Sequence, residues 1–189
     1  MKLSGLLLAC FSLIPVAAWA GNFNYDYAEL DYLHTKPQLG VSGKGPSAQL
    51  SYTISSMDVQ LLTGYAQIDT PSTPADIDYH NYWVGIRGEN SFGDSTDFYT
   101  DILYLNNRVT TQNSANTDDG YRLLLGMRHQ VTDRIELDGS IGRDYLTQSD
   151  NQVALGLVFD VMKHLAVGLS YAHDNLHNNT ATLRLRVYY

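Results

Sequence analysis

Alternation of apolar residues with polar or small residues is the feature of this sequence that most constrains its fold. From about residue 24 to the last residue, apolar side chains recur at every second position, as in Val153, Leu155, Leu157 and Phe159. A period of two is typical of a β-strand with one apolar face, and no stretch sustains the 3.6-residue period of a helix. The pattern therefore predicts an all-β chain.

Ten segments carry this alternation, and each is about 9–13 residues long, which is the length of a tilted strand that crosses a bilayer. Strands of soluble sheets are shorter, at about 5–6 residues. We predict a single transmembrane antiparallel β-barrel of about ten strands, with eight as the second choice because that count leaves out two well-patterned segments. The predicted strands are 24–34, 46–54, 59–69, 79–88, 97–107, 119–130, 134–146, 151–160, 164–173 and 178–189.

The connections follow from the strand count. An even number of strands places both chain termini at one rim, which faces the periplasm in bacterial barrels. We expect the first three outer loops to be long, and the inner turn at 89–96 is longer than usual. The predicted outer loops are 35–45, 70–78, 108–118, 147–150 and 174–177, and the predicted inner turns are 55–58, 89–96, 131–133 and 161–163.

The first twenty residues have the pattern of a secretory signal peptide. Lys2 precedes an apolar run that continues to Val16, and Ala18-Trp19-Ala20 provides a small-residue cleavage site. A membrane anchor is the alternative, but the run is short for a spanning helix and Pro15 interrupts it. A second alternative is a lipoprotein, because the residues up to Cys10 resemble a lipobox. We predict a cleaved signal peptide at 1–20 and a barrel at 21–189 that contains no cysteine.

An apolar face that points outward indicates a membrane barrel, whereas an apolar face that points inward indicates a soluble, lipocalin-like barrel in the periplasm. Aromatic residues end many apolar stripes, as in the girdles of membrane barrels: Tyr32, Tyr52, Tyr82, Phe98, Tyr104, Tyr121, Phe159, Tyr171 and Tyr189. The opposite face carries isolated charges that suit a crowded polar lumen: Glu29, Asp31, Arg87, Asp101, Arg122, Arg128, Glu136, Asp138, Arg184 and Arg186. Because five arginines face five acids, we predict a lumen filled by ion-paired side chains, although ten strands leave room for a narrow water path.

Two stretches carry a resemblance to a known family. The last strand, Leu183 to Tyr189, together with the signal peptide and the period-two strands, resembles the small OmpA/OmpX-like outer-membrane β-barrels of Gram-negative bacteria. The opening Tyr25 to Tyr32 resembles that of a group of short Gram-negative outer-membrane β-barrel proteins. This resemblance implies a location in the outer membrane after secretion across the inner membrane, contact with outer-membrane lipids including lipopolysaccharide, and recognition of the C-terminal strand by the barrel-assembly machinery. It implies no shared catalytic residues.

Catalytic and metal sites were sought among the histidines and acids. His173 and Asp174 are adjacent and so point to opposite faces of a strand, while His80 with Asp76 or Asp78 is a candidate dyad. The candidate metal ligands are His173 with His177, Asp118 with Asp119, and Asp76 with Asp78. Plain polar residues at the rim explain the same pattern. We therefore name no catalytic, cofactor-binding or metal-binding residue and expect no cofactor.

The function predicted from the sequence is that of a non-enzymatic outer-membrane barrel with a structural or surface-interaction role in the cell envelope. A porin-like narrow pore or small-solute transporter is the alternative, and a rim-site lipid-modifying enzyme is the third. Nucleic acid is not an expected partner, because the formal charge is −8 and the pI is about 5.0. The sequence names neither a ligand nor an oligomeric state.

Overall fold

The computed structural model describes residues 23–36, 42–54, 57, 59–70, 77–111, 113–176 and 178–189. The predicted signal peptide and lipobox lie outside these residues, as do residues 37–41 and 71–76 of the predicted outer loops and residues 55, 56 and 58 of the predicted inner turn 55–58. The ten strands are Tyr27–Lys36 (β1), Gly43–Ile54 (β2), Val59–Thr70 (β3), Ile77–Ser91 (β4), Thr96–Thr110 (β5), Ala115–Thr132 (β6), Ile135–Tyr145 (β7), Asp150–Met162 (β8), Leu165–Asp174 (β9) and Asn179–Tyr188 (β10).

The strands form one closed antiparallel barrel in chain order, and β1 pairs with β10 to complete it. At this seam Tyr27 lies opposite Tyr188 and Asp31 lies opposite Arg184. Closure gives every strand two neighbours, so that no sheet edge is left unpaired. The prediction of a ten-stranded all-β barrel is confirmed.

The two rims are named here by their residues. The terminal rim contains the segment Phe23–Asp26, the end of β10 and the turns at 92–95, 133–134 and 163–164. The far rim contains the turns at 111–114, 146–149 and 175–176. No helix long and apolar enough to cross a membrane occurs among the residues that the structure describes.

The predicted outer loop 108–118 is wrong. β5 and β6 continue as a paired hairpin to Thr110 and Ala115, and the turn is closed by the Thr111 N–H, which donates to the Ser114 carbonyl at 2.8 Å. This end of the hairpin is polar on both faces, so the apolar alternation disappears although the backbone stays extended. The inner turn predicted at 89–96 is shorter for the same reason, because β4 runs to Ser91.

The outer face of the barrel is apolar, as predicted. Leu155 at the middle of β8 is 69% exposed, and its neighbours Leu169 and Ile141 are also exposed. All nine aromatic residues expected at the ends of the apolar stripes are exposed on this face. The barrel therefore presents a continuous apolar surface outward and turns its charges inward.

Candidate functional site

The inner face carries all ten charged residues that the alternation assigned to the lumen. Four arginines lie in the half next to the terminal rim: Arg87, Arg128, Arg184 and Arg186. The fifth, Arg122, lies nearer the far rim and pairs with Asp144 at 2.6 Å. The lumen thus has a charged terminal half and a less charged far half.

Two of the terminal arginines form bidentate pairs with one carboxylate each. The Arg87 Nε and Nη2 atoms donate to Asp101 at 2.7 and 2.8 Å, directly across β4 and β5. Arg128 donates to Glu136 through Nε and Nη2 at 2.8 and 2.6 Å and is only 2% exposed. Two parallel charge-assisted bonds fix both the distance and the orientation of a guanidinium group.

The other two arginines meet at the barrel seam. Glu29 accepts from Arg186 at 2.8 Å and contacts Arg184 at 3.0 Å, while Asp31 lies 3.4 Å from Arg184. Arg186 also approaches Glu136 across the lumen at 3.8 Å. These contacts connect β1 and β10 to β7, so the pairs form a network that spans the barrel interior.

The segment before β1 packs inside this network. The Phe23 and Tyr25 rings lie 4.5 and 4.6 Å from the Arg128 guanidinium carbon, at cation–π distance. Tyr25 is buried, and its hydroxyl donates to Asp97 at 3.3 Å. The Arg87 guanidinium lies 4.0 Å from the Tyr99 ring centre.

These residues occupy much of the lumen at the terminal end, beside a cavity of about 330 Å³ lined by Phe23, Arg128 and Glu136, and we call them the terminal plug. Its members are Phe23, Tyr25, Glu29, Arg87, Tyr99, Asp101, Arg128, Glu136, Arg184 and Arg186. The prediction of a polar lumen filled by side chains is confirmed.

The predicted near balance of lumen charges is wrong. Further carboxylates point inward, among them Glu89, Asp97, Asp144 and Asp160. They lie near strand ends, where polar residues occur on both faces and the alternation is weak. Acids therefore outnumber arginines in the lumen.

On β3 to β5, an apolar cluster lies between the terminal plug and the far rim. Leu62, Leu103 and Leu105 form a buried cluster against which Trp83 and Leu146 pack. The Trp83 indole N–H donates to the Gln49 side-chain oxygen at 3.1 Å, which satisfies its only polar group. We call these five apolar residues the apolar shelf.

Above the apolar shelf, a cavity of about 510 Å³ opens at the far rim, and we call it the far cup. Asn81 and Asn107 face each other across β4 and β5, and each has a buried side-chain oxygen with no hydrogen-bond partner. His80, Arg108 and Asp118 lie among its other polar lining residues. A cavity of this size is in the range of small-molecule sites.

In the part of the chain that the structure describes, the histidines of the candidate dyads have other hydrogen-bond partners. His80 Nδ1 lies 2.8 Å from the Tyr65 hydroxyl, and the two rings stack. His173 and Asp174 point to opposite faces, and Asp174 accepts from the Asn178 backbone and side chain. Asp76 lies outside the residues that the structure describes.

Of the candidate metal ligands, only Asp118 and Asp119 both lie among the described residues. Asp118 and Asp119 are successive residues of β6, and Asp118 accepts from the Thr147 N–H and hydroxyl groups. His177 lies outside the described residues. Within the part of the chain that the structure describes, no group of three or more histidine, cysteine or acidic residues has metal-binding geometry.

Several residues of the lumen were missed from the sequence. Asn81, Trp83 and Glu89 share the parity of Arg87 on β4, and Asn107 shares the parity of Asp101 on β5. Residues two positions apart on a strand point to the same side. Applying this rule along the whole strand, starting from each inward charged residue, would have identified them.

Comparison with known proteins supports the fold. No family model matches the chain, and there is no significant match among curated proteins. Among solved structures, the chain is similar to the NanC porin, with a TM-score of 0.55 at 7% identity over 86% of this chain and 100% of that one. It is also similar to the KdgM porin in complex with disordered oligogalacturonate, with a TM-score of 0.51 at 10% identity over 85% of this chain and 99% of that one.

A third similar structure is Neisserial surface protein A (NspA), with a TM-score of 0.48 at 16% identity over 86% of this chain and 95% of that one. The fold is that of the transmembrane outer-membrane β-barrels, consistent with the resemblance to the small OmpA/OmpX-like barrels.

Proposed function

We propose that the protein is a non-enzymatic outer-membrane β-barrel that contacts small hydroxyl-rich molecules at the cell surface through the far cup. An even strand count puts the chain termini in the periplasm, so that the far rim faces outward. The similarity in fold to the NanC and KdgM porins supports the membrane location.

The observation that carries this proposal is the closed base of the far cup. Leu146 of the apolar shelf lines the cavity, and the ion pairs of the terminal plug occupy the lumen towards the opposite rim. A solute that enters from the far rim meets buried side chains rather than a continuous water path. Binding at the surface therefore fits the geometry better than passage through the barrel.

The chemistry of the far cup favours a neutral ligand with hydroxyl groups. The unpartnered oxygens of Asn81 and Asn107 are acceptors and need a donor from a ligand or from water. The acids Asp118 and Asp150 line the cup beside one basic residue, Arg108, and the Arg122 charge is matched by Asp144. An anionic ligand would meet this excess of carboxylates, whereas a neutral sugar offers donors without added charge.

The test uses the fluorescence of Trp83, which is the only tryptophan of residues 21–189. Titration of the folded protein with neutral disaccharides should give saturable changes, and the matched uronic-acid disaccharides should bind more weakly. Replacing both Asn81 and Asn107 by leucine should remove binding, because leucine has a similar volume but accepts no hydrogen bond. Asn113→Leu, at an exposed turn, is the matched control. Absence of saturable binding, or equal binding by the double variant, contradicts the proposal.

A narrow pore is the second candidate, and the similarity in fold to two porins favours it. This function requires the terminal plug to move, because Arg128 and Tyr25 occupy the lumen. Swelling of proteoliposomes in a neutral sugar measures such passage directly. Rapid swelling with the unmodified protein would favour the pore over surface binding.

A further inference from the structure

Four oxygen-bearing side chains meet on the inner wall near the terminal rim. Gln60 of β3 hydrogen-bonds to Glu89 of β4, and Ser91 of β4 lies opposite Asp97 of β5. Each of the four has a buried oxygen without a hydrogen-bond partner: Gln60 Oε1, Glu89 Oε2, Ser91 Oγ and Asp97 Oδ1. We call these four residues the oxygen cluster.

Burial makes these unpartnered oxygens significant. Gln60 is 1% exposed and Asp97 is 0% exposed, so bulk water does not solvate them. The second Asp97 oxygen accepts from the Tyr25 hydroxyl, which leaves the first oxygen free to bind another group. A buried acceptor without a partner is unfavourable and calls for a ligand or an ordered water.

The nearby arginines are engaged elsewhere. Arg87, which lies opposite Gln60, is held by Asp101 in a bidentate pair. Arg128 lies opposite Asp97 but directs its Nε and Nη2 atoms to Glu136. Its Nη1 atom has no partner and could turn to Asp97 instead, as could the hydroxyl of Ser91.

The charge of the surrounding lumen also favours a cation. The terminal half contains eight inward carboxylates: Glu29, Asp31, Glu89, Asp97, Asp101, Glu136, Asp138 and Asp160. It contains four inward guanidinium groups, those of Arg87, Arg128, Arg184 and Arg186. The formal excess of four negative charges in a confined space is unfavourable unless cations or protons reduce it.

We propose that the oxygen cluster binds a divalent cation, with Ca²⁺ as the ion whose ligand preference fits it. Carboxylate, amide and hydroxyl oxygens in an irregular arrangement are typical Ca²⁺ ligands, and water completes the coordination. The cluster offers no histidine or cysteine, which zinc prefers. Because Asp97 also holds the Tyr25 hydroxyl, the bound ion stabilises the terminal plug. The proposal goes beyond the surface function, since the far cup contributes no ligand.

The experiment measures Ca²⁺ binding and thermal unfolding of the full chain, folded in detergent micelles that contain no lipopolysaccharide and stripped with EDTA. Calorimetric titration should show one saturable Ca²⁺ site. The unfolding temperature should rise by about 5 °C in excess Ca²⁺, because a ligand that binds only the folded state stabilises it.

Two conservative variants separate binding from folding. Glu89→Gln and Asp97→Asn should each weaken Ca²⁺ binding about tenfold or more, because affinity depends on the number of charged ligands. In EDTA, Glu89→Gln should unfold no lower than the unmodified protein, because it removes an uncompensated carboxylate. Asp133→Asn, at an exposed turn of the same rim, should keep the full Ca²⁺ response.

Equal unfolding temperatures in Ca²⁺ and EDTA, or an unchanged Ca²⁺ response in both cluster variants, would overturn the proposal. Asp97 would then be a partner of Arg128 Nη1, and ordered water would fill the remaining positions. Neither result depends on whether the far cup binds sugar, so the two proposals fail independently.

Discussion

The two halves of the lumen share one barrel and one period-two pattern but differ in chemistry. The terminal half is packed with buried ion pairs and aromatic rings, as around Arg128, Glu136 and Tyr25. The far half is lined by amides, hydroxyls and fewer charged groups, such as Asp118 and Asp150, and it holds an open cavity beside the apolar shelf. Alternation decides which side chains point inward. The identity of those side chains decides whether a stretch of the lumen is closed or can bind a ligand.

The largest expected effect comes from removing a buried charge of the terminal plug. Arg128→Ala leaves Glu136 buried without its bidentate partner, and this should cost about 3–5 kcal/mol of folding free energy. Urea unfolding in detergent micelles or lipid vesicles measures the loss.

Arg122→Ala is the matched change in the far half, and it should lower the folding stability by less than Arg128→Ala does. The Arg122 side chain is 22% exposed, so water can solvate Asp144 once the arginine is gone. Charge reversal by Arg122→Glu should still destabilise more than Lys163→Glu at an exposed turn. Equal losses for Arg128→Ala and Arg122→Ala would remove the energetic difference between the two halves.

The outer face should respond in the same way along both halves, because exposed apolar side chains cover it along both of them. Leu155→Arg places a charge near the middle of the apolar surface and should cost about 2–4 kcal/mol. The Gln152 side chain points inward near the far rim, so Gln152→Arg should change the folding free energy little. Folding titrations into vesicles test this, and similar costs at the two positions would show that the parity assignment is wrong.

Packing in the terminal half should tolerate less added volume than the outer surface. A Cβ atom at Gly126 would overlap the Tyr99 ring, so Gly126→Ala should cost about 2 kcal/mol. Gly88→Ala is the control, because a Cβ there meets no atom within 4 Å. Chemical denaturation of both variants measures the difference, and a neutral Gly126→Ala would indicate a loosely packed plug.

The smallest effect is expected at the last residue. Tyr189 donates its hydroxyl to the Ser51 carbonyl at 2.7 Å and its N–H to the Asp26 carbonyl at 3.2 Å. Deleting Tyr189 should cost about 1 kcal/mol and lower the yield of heat-modifiable barrel in the outer membrane. Asn113→Ala should leave the yield unchanged. Normal yield after the deletion would count against a role of Tyr189 in assembly.

Most of the fold could be predicted from the sequence, because lipid contact requires apolar residues at every second position of a spanning strand. The ten strands and the inward direction of residues such as Arg184 and Arg186 follow from that requirement alone. The hairpin at 111–114 could not be predicted, because strands that leave the apolar zone no longer need alternation. The charge pairs depend on register and on which strands face each other across the lumen. The sequence therefore indicated the arginines but not the partner that each one binds.

The far cup was beyond prediction for a related reason. Asn81 and Asn107 are ordinary polar residues in the sequence and become a candidate site only because β4 and β5 place them side by side. The oxygen cluster was likewise hidden, since Glu89 lay in a predicted turn.

Closure of the lumen by the terminal plug is the central claim, and conductance across a planar lipid bilayer tests it most directly. The unmodified protein should carry no steady ion current, because buried pairs and the Phe23–Tyr25 segment fill the terminal half. Replacing Phe23 and Tyr25 together by alanine should produce measurable openings. A large, steady current through the unmodified protein would contradict the account and establish the barrel as a pore.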